Sequence, residues 1–137
     1  MLLDNFYTLL SSESPDSITW TIRVELNPEH AIYQGHFPEH PVVPGVCLLQ
    51  LIKECAEDIR RQQLQYTLVS SCKFLSVVNP VKTPCLSVTL TLKEMEEGKL
   101  QLQAEGTVKV EGTVETEETA ENECFIKLKA VLTSTKI

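Results

Sequence analysis

Hydrophobic and polar positions change their period twice along this chain. Residues 1–10, MLLDNFYTLL, fit a short amphipathic helix, and a polar loop through Ser11–Ser17 follows. From Ile18 to Leu26 the pattern alternates. Ile18, Trp20, Ile22, Val24 and Leu26 stand against Thr19, Thr21, Arg23 and Glu25, the period-2 signature of a half-buried strand. A turn-rich loop runs from Asn27-Pro28 to Pro44-Gly45. The period then becomes helical over about Pro44–Leu64, where a proline in the first turn is a start signal. Leu48, Leu49, Ile52, Cys55, Ala56 and Ile59 share one face, with Lys53, Glu57, Arg60 and Arg61 on the other. Gln50, Glu54 and Glu57 form a stripe along the polar side, in which Glu54 and Glu57 read as a solvated face pairing with Arg60 or Arg61.

From Tyr66 onward the pattern is strand-like. Strands are predicted at about 67–78, 85–95, 99–110 and 123–134, with turns at Asn79-Pro80, Glu97-Gly98 and the acidic run 115–123. One helix between an early strand and a series of long ones predicts an α+β fold, an antiparallel sheet wrapped around one long central helix. A length of 137 residues suits a single domain, 1–137, able to bury a core.

Composition narrows the function classes. Hydrophobic residues at 42% and charged residues at 23% describe an ordinary globular chain rather than a disordered one. A net charge of −7 argues against nonspecific binding of nucleic acid, which needs clustered Lys and Arg. A local basic patch for an acidic carrier protein remains compatible with that charge, and Arg23 and Lys73 are available for it. The first ten residues lack the basic start of a signal peptide, and no run of about 18 apolar residues exists to span a bilayer. Five cysteines without CxxC or Cys/His clustering predict free thiols in a reducing cytoplasm, with no metal and no cofactor. Cys47 and Trp20 read as core side chains, and His30 as a turn residue.

The chemistry concentrates between Gly35 and Gln50, GHFPEHPVVPGVCLLQ. His36 and His40 lie in a loop stiffened by Pro38, Pro41 and Pro44, since proline fixes φ and removes a donor. The loop leads into a helix N-terminus, where free N–H groups and the helix dipole favour developing negative charge. A stiff histidine beside such a terminus suits a base next to an oxyanion site. A rigid loop with a hydrogen-bonded histidine fits the spacing equally well.

This segment closely resembles the GHFPxxPVxPGVLxxE signature of the 3-hydroxyacyl-acyl-carrier-protein dehydratases of fatty acid synthesis, which have the hot-dog fold. Lys73-Phe74 and Asn79-Pro80 resemble the strand and turn that follow the helix in that family. The resemblance implies that His36 takes the α-proton of a (3R)-3-hydroxyacyl thioester and that the Gly45 N–H polarises the thioester carbonyl. Phe37, Pro38 and Pro44 would shape the loop. The acyl chain would lie beside the helix near Leu48, Leu49 and Leu51, with Val46 and Glu54 also among the substrate contacts. It further implies a homodimer with sites shared between subunits, acting on thioesters of acyl carrier protein or coenzyme A.

One position departs from the signature. The family's second catalytic group is a Glu or Asp, and Gln50 stands there. An amide cannot supply a proton at neutral pH, and losing a general acid costs on the order of 10²–10⁴ in rate. Three readings follow. The first is a dehydratase in which Gln50 positions the hydroxyl or water. The second is another reaction on the same thioester, such as hydrolysis. The third is a non-catalytic acyl-thioester binder, or the inactive partner of a heterodimer whose mate supplies the carboxylate.

Overall fold

The computed structural model describes residues 4–35, 41–109 and 122–135. Six strands form one antiparallel sheet: β1 (Tyr7–Glu13), β2 (Thr19–Leu26), β3 (Leu64–Phe74), β4 (Cys85–Glu94), β5 (Lys99–Lys109) and β6 (Asn122–Ser134). Their order is β1-β2-β4-β5-β6-β3. Between β2 and β3 come a single helical turn, α1 (Ile32–Gly35), and the long helix α2 (Gly45–Arg60). The predicted α+β arrangement is therefore the observed one: one sheet and one central helix.

Strict alternation builds the sheet's inner face. Leu86, Val88, Leu90 and Leu92 of β4 are buried, as are Leu100, Leu102 and Ala104 of β5 and Ile126, Leu128, Ala130 and Leu132 of β6. Register sets these rows side by side, with Leu90 opposite Ala104 and Leu102 opposite Ala130. Cys47, Leu48, Leu51, Ile52, Cys55 and Ala56 of α2 fill the space above them. Where β5 meets β6, Phe125 lies so close to Gly106 that a Cβ there would stand 2.4 Å from the ring. Only glycine fits that crossing.

Three elements differ from the sequence expectation. The first ten residues do not form a helix: Asp4–Phe6 make a turn and Tyr7 begins β1. Phe6 is fully buried while Leu9 and Leu10 stay largely exposed, so pairing with β2 outweighs the local helical pattern. The helix ends at Arg60 rather than near Leu64, because Arg61 turns left-handed (φ 53°) and its N–H closes on the Glu57 carbonyl. The Leu64 N–H then meets the Glu57 carboxylate at 2.9 Å, and buried Leu64 opens β3. β3 accordingly spans Leu64–Phe74 instead of 67–78.

β3 lies at one edge of the sheet, with β6 as its only neighbour among the described strands. Two register shifts interrupt that pairing. Along this edge and the segment after it, Leu68, Val69, Phe74, Leu75, Val77 and Val81 are exposed.

Candidate functional site

The site grows from the start of α2. Pro44 caps the helix in an extended conformation, with φ −61° and ψ 144°, rather than occupying the first helical position. Its carbonyl takes the N–H groups of Cys47 and Leu48 at 3.0 and 3.3 Å. Among the described residues none accepts the N–H of Gly45 or Val46, the donors at the open end of the helix. The Phe74 ring of β3 stands over Gly45, and a Cβ at position 45 would lie 2.8 Å from it. Close approach, not a special dihedral, requires glycine here. Val43, whose N–H bonds to the Val78 carbonyl at 2.9 Å, ties the preceding loop to the segment after β3.

On its other side the loop is anchored by an aromatic group. Tyr33 of α1 is buried and stacks on Phe6 at 6.1 Å, and His30 meets Phe6 edge-on at 5.3 Å. His30 also bridges the Asp4 carbonyl and the Ile32 N–H, both at 3.1 Å. The chain leading toward His36 is thus pinned three residues earlier. His36, Phe37, Pro38 and His40 themselves lie outside the described residues.

Further along α2, Leu49 is half-buried and its carbonyl accepts the Tyr66 hydroxyl at 2.7 Å, holding the helix to β3. Val46 points out, 73% exposed. Gln50 and Glu54, one turn apart, are joined: the Gln50 amide donates to Glu54 Oε2 at 2.9 Å. The other carboxylate oxygen accepts the Tyr7 hydroxyl at 3.0 Å. Glu54 is only 1% exposed. The expected solvated Glu54 is therefore overturned, because β1 packs on that side of the helix and covers it. Glu57 matches the expectation of a paired carboxylate, although its partners are Lys53 at 4.0 Å and the Leu64 N–H rather than an arginine. Arg60 pairs instead with Glu94 at 3.2 Å.

Burial keeps the phenol and thiols of this region protonated. Burial first, then Cys55 and Glu54, hold the Tyr7 phenol far above its usual range, so it stays a hydrogen-bond donor. Burial likewise raises the Cys47 thiol and pushes Cys55 up to about 12, which leaves neither as a thiolate nucleophile. Tyr7, Leu9, Ser12, Ile22, Glu54, Cys55 and Asp58 line a cavity of about 180 Å³ between β1 and α2. A wider groove of about 470 Å³ lies away from the helix, on the outer face of the sheet by Ser71, Lys73, Thr89, Lys127 and Lys129. Among the described residues no three His, Cys, Asp or Glu side chains gather as around a metal ion, and no helix is long and apolar enough to cross a membrane.

Of the residues singled out in the sequence, the structure brings Gly45, Val46, Leu49, Gln50 and Glu54 onto one helix and joins the last two directly. Sequence reasoning missed Tyr7, whose segment it assigned to a helix, and Tyr33, which carried no signal beyond its hydrophobicity.

The ApeI-like family, described as ApeI dehydratase, matches residues 11–113. The chain is an ApeI-like member of the 3-hydroxyacyl-acyl-carrier-protein dehydratase family. This ApeI-like chain is 30% identical over 122 residues to the 3-hydroxyacyl-acyl-carrier-protein dehydratase FabZ of Lactobacillus helveticus, covering 80% of this chain and 81% of that one. The FabZ of Levilactobacillus brevis is 29% identical over the same shares. In structure it resembles the dehydratase heterocomplex ApeI:P of Xenorhabdus doucetiae, with a TM-score of 0.66 and 17% identity over 92% of this chain and 96% of that one. It also resembles an apo-hexameric acyl-CoA thioesterase, with a TM-score of 0.55 and 11% identity over 98% and 72%. These two likenesses establish the hot-dog fold.

Proposed function

We propose that this protein is a (3R)-3-hydroxyacyl thioester dehydratase working from His36, the Gly45 N–H and Gln50. The observation that carries the reading is the start of α2: two N–H groups behind a proline cap that no described residue accepts, with Gln50 about 7.5 Å further along the axis by helical rise. The carbonyl of a bound thioester accepts the Gly45 N–H, which stabilises the enolate formed when His36 removes the α-proton. The C3–O bond then breaks, giving a 2-enoyl thioester. Gln50 has no proton to give, so the histidinium returns its proton to the departing hydroxide, and water leaves. The acyl chain lies along the helix by Val46 and Leu49, with Phe37 and Pro38 shaping the loop beside it.

The β3 edge, which no described strand covers, and its exposed Leu68, Val69 and Phe74 support an assembly through that strand, as a homodimer or with a related chain. Gln50 in the acid position favours the second arrangement, in which a mate supplies the missing carboxylate. An acyl carrier protein or coenzyme A thioester is the substrate.

Hydration of a trans-2-enoyl thioester, measured with wild type and His36→Ala, tests the reading. The expected result is turnover that His36→Ala abolishes. Turnover no faster than in buffer, with acyl-thioester binding intact, would favour the heterodimer reading. Thiol release from a saturated acyl thioester would replace dehydration with hydrolysis.

A further inference from the structure

Glu54 is the one buried charged side chain among the described residues. Nothing in the packing calls for it. A carboxylate taken out of water costs several kcal/mol unless it is paired, and a well-packed apolar side chain serves stability as well or better. The described ion pairs join Lys53 to Glu57, Arg60 to Glu94 and Lys127 to Glu105, and none includes Glu54. Two neutral donors hold it instead, the Tyr7 hydroxyl on one oxygen and the Gln50 amide on the other.

This arrangement decides which way the Gln50 amide faces. The end of the amide turned toward Glu54 is the NH₂ group, which donates to Oε2 at 2.9 Å. Gln50 Oε1 then points away from Glu54. No described residue donates to it, and the side chain is partly exposed. The site therefore presents a fixed hydrogen-bond acceptor at the position where an acid would otherwise stand.

We propose that Glu54 is a positioning residue that locks the Gln50 carbonyl oxygen toward the acyl chain, so that the site selects thioesters carrying a hydroxyl at C3. This inference rests on the thioester reading of the site. The substrate hydroxyl donates to Gln50 Oε1 and keeps its lone pairs free for the proton returning from His36. A saturated or enoyl chain has no donor there and leaves Oε1 without a partner.

The test uses amide-for-thioester pantetheine analogues of one chain length, one 3-hydroxyacyl and one saturated, with Kd values measured by calorimetry. Wild type should prefer the hydroxyacyl analogue by about 3- to 10-fold, the range of one neutral hydrogen bond. In Glu54→Gln two facing amides pair in either orientation, so Oε1 faces the chain about half the time and the preference should fall by about twofold while the saturated analogue binds as before. Tyr7→Phe leaves the Gln50–Glu54 bond in place and should keep the preference. Gln50→Leu removes the acceptor outright, should abolish the preference, and decides the matter even where Glu54→Gln does not fold. Equal affinity of wild type for both analogues, a preference undiminished in Glu54→Gln, or one that survives Gln50→Leu, would overturn the inference. So would equal weakening of both analogues by Glu54→Gln and Tyr7→Phe, which marks a purely structural role. Failure of wild type to bind either analogue would instead overturn the thioester reading itself.

Discussion

Gln50→Glu restores the acid that dehydratases of this family carry, yet the structure argues against a simple gain. The new carboxylate would face Glu54 where an amide nitrogen now donates at 2.9 Å. Two unit charges at that separation repel by about 6 kcal/mol at an effective dielectric of about 20, and by about 1.4 kcal/mol in bulk water. The donor lost at the same time is worth about 1.5–3 kcal/mol, because it bonds a charged group. A cheaper escape sets the ceiling. Binding one proton between the pair at pH 7 costs about 3.7 kcal/mol for a glutamate of ordinary pKa near 4.3. Protonation therefore caps the loss at about 3–4 kcal/mol, or roughly 10 °C in melting temperature at fixed protein concentration.

The sign of the pH dependence follows. The shared proton is held more tightly in the folded variant than in the unfolded chain. Its stabilisation is therefore complete below about pH 4.3 and is lost as pH rises through the elevated folded value. Melting curves of wild type and Gln50→Glu should coincide near pH 4 and draw apart progressively up to pH 7. The exchanged pair, Gln50→Glu with Glu54→Gln, has one carboxyl and one amide again. It should return to within about 1 kcal/mol of wild type and hydrate enoyl thioesters faster than either single variant. A Gln50→Glu protein as stable as wild type at pH 7, with no pH-dependent gap, would refute the pairing of these two side chains.

Two further outcomes follow from the core. Gly106→Ala drives a methyl group into the buried Phe125 ring, 2.4 Å from the nearest carbon, and should cost about 2–3 kcal/mol in denaturant unfolding. Adding Phe125→Leu should recover part of that loss, and full stability of the single variant would contradict the packing. All three tyrosines, Tyr7, Tyr33 and Tyr66, are raised above 10.0, mainly by burial. Their protonated forms stabilise the fold fully below pH about 10, and that contribution is lost as pH rises further. The tyrosinate absorbance should therefore appear together with unfolding, and three phenols titrating near pH 10 in a folded protein would contradict their burial.

The parts of this fold legible in the sequence are those whose burial follows one period. β4, β5 and β6 alternate cleanly because one face of each meets the helix, and α2 shows its apolar stripe for the same reason. The first segment misleads because Phe6 is buried by a turn and Tyr7 half-buried by a strand, and no local period encodes both. The end of α2 is hidden as well, since a left-handed arginine, unlike a glycine, gives no stop signal. At the site, the helix N-terminus and the departure at Gln50 are readable from the motif. The burial of Glu54 is not, for it depends on a tyrosine 47 residues away.

The contact between positions 50 and 54 also constrains how such a site can change by single substitutions. A chain with the acid at 50 and an amide at 54 has two routes to the present pair, each of two single substitutions. The route through two glutamates passes a protein up to about 3–4 kcal/mol less stable, a large share of the 5–15 kcal/mol that holds a domain folded. The route through two glutamines carries no such penalty, but its intermediate has no carboxyl at either position. Selection on stability alone would thus favour the route through a chain with no carboxyl at either position.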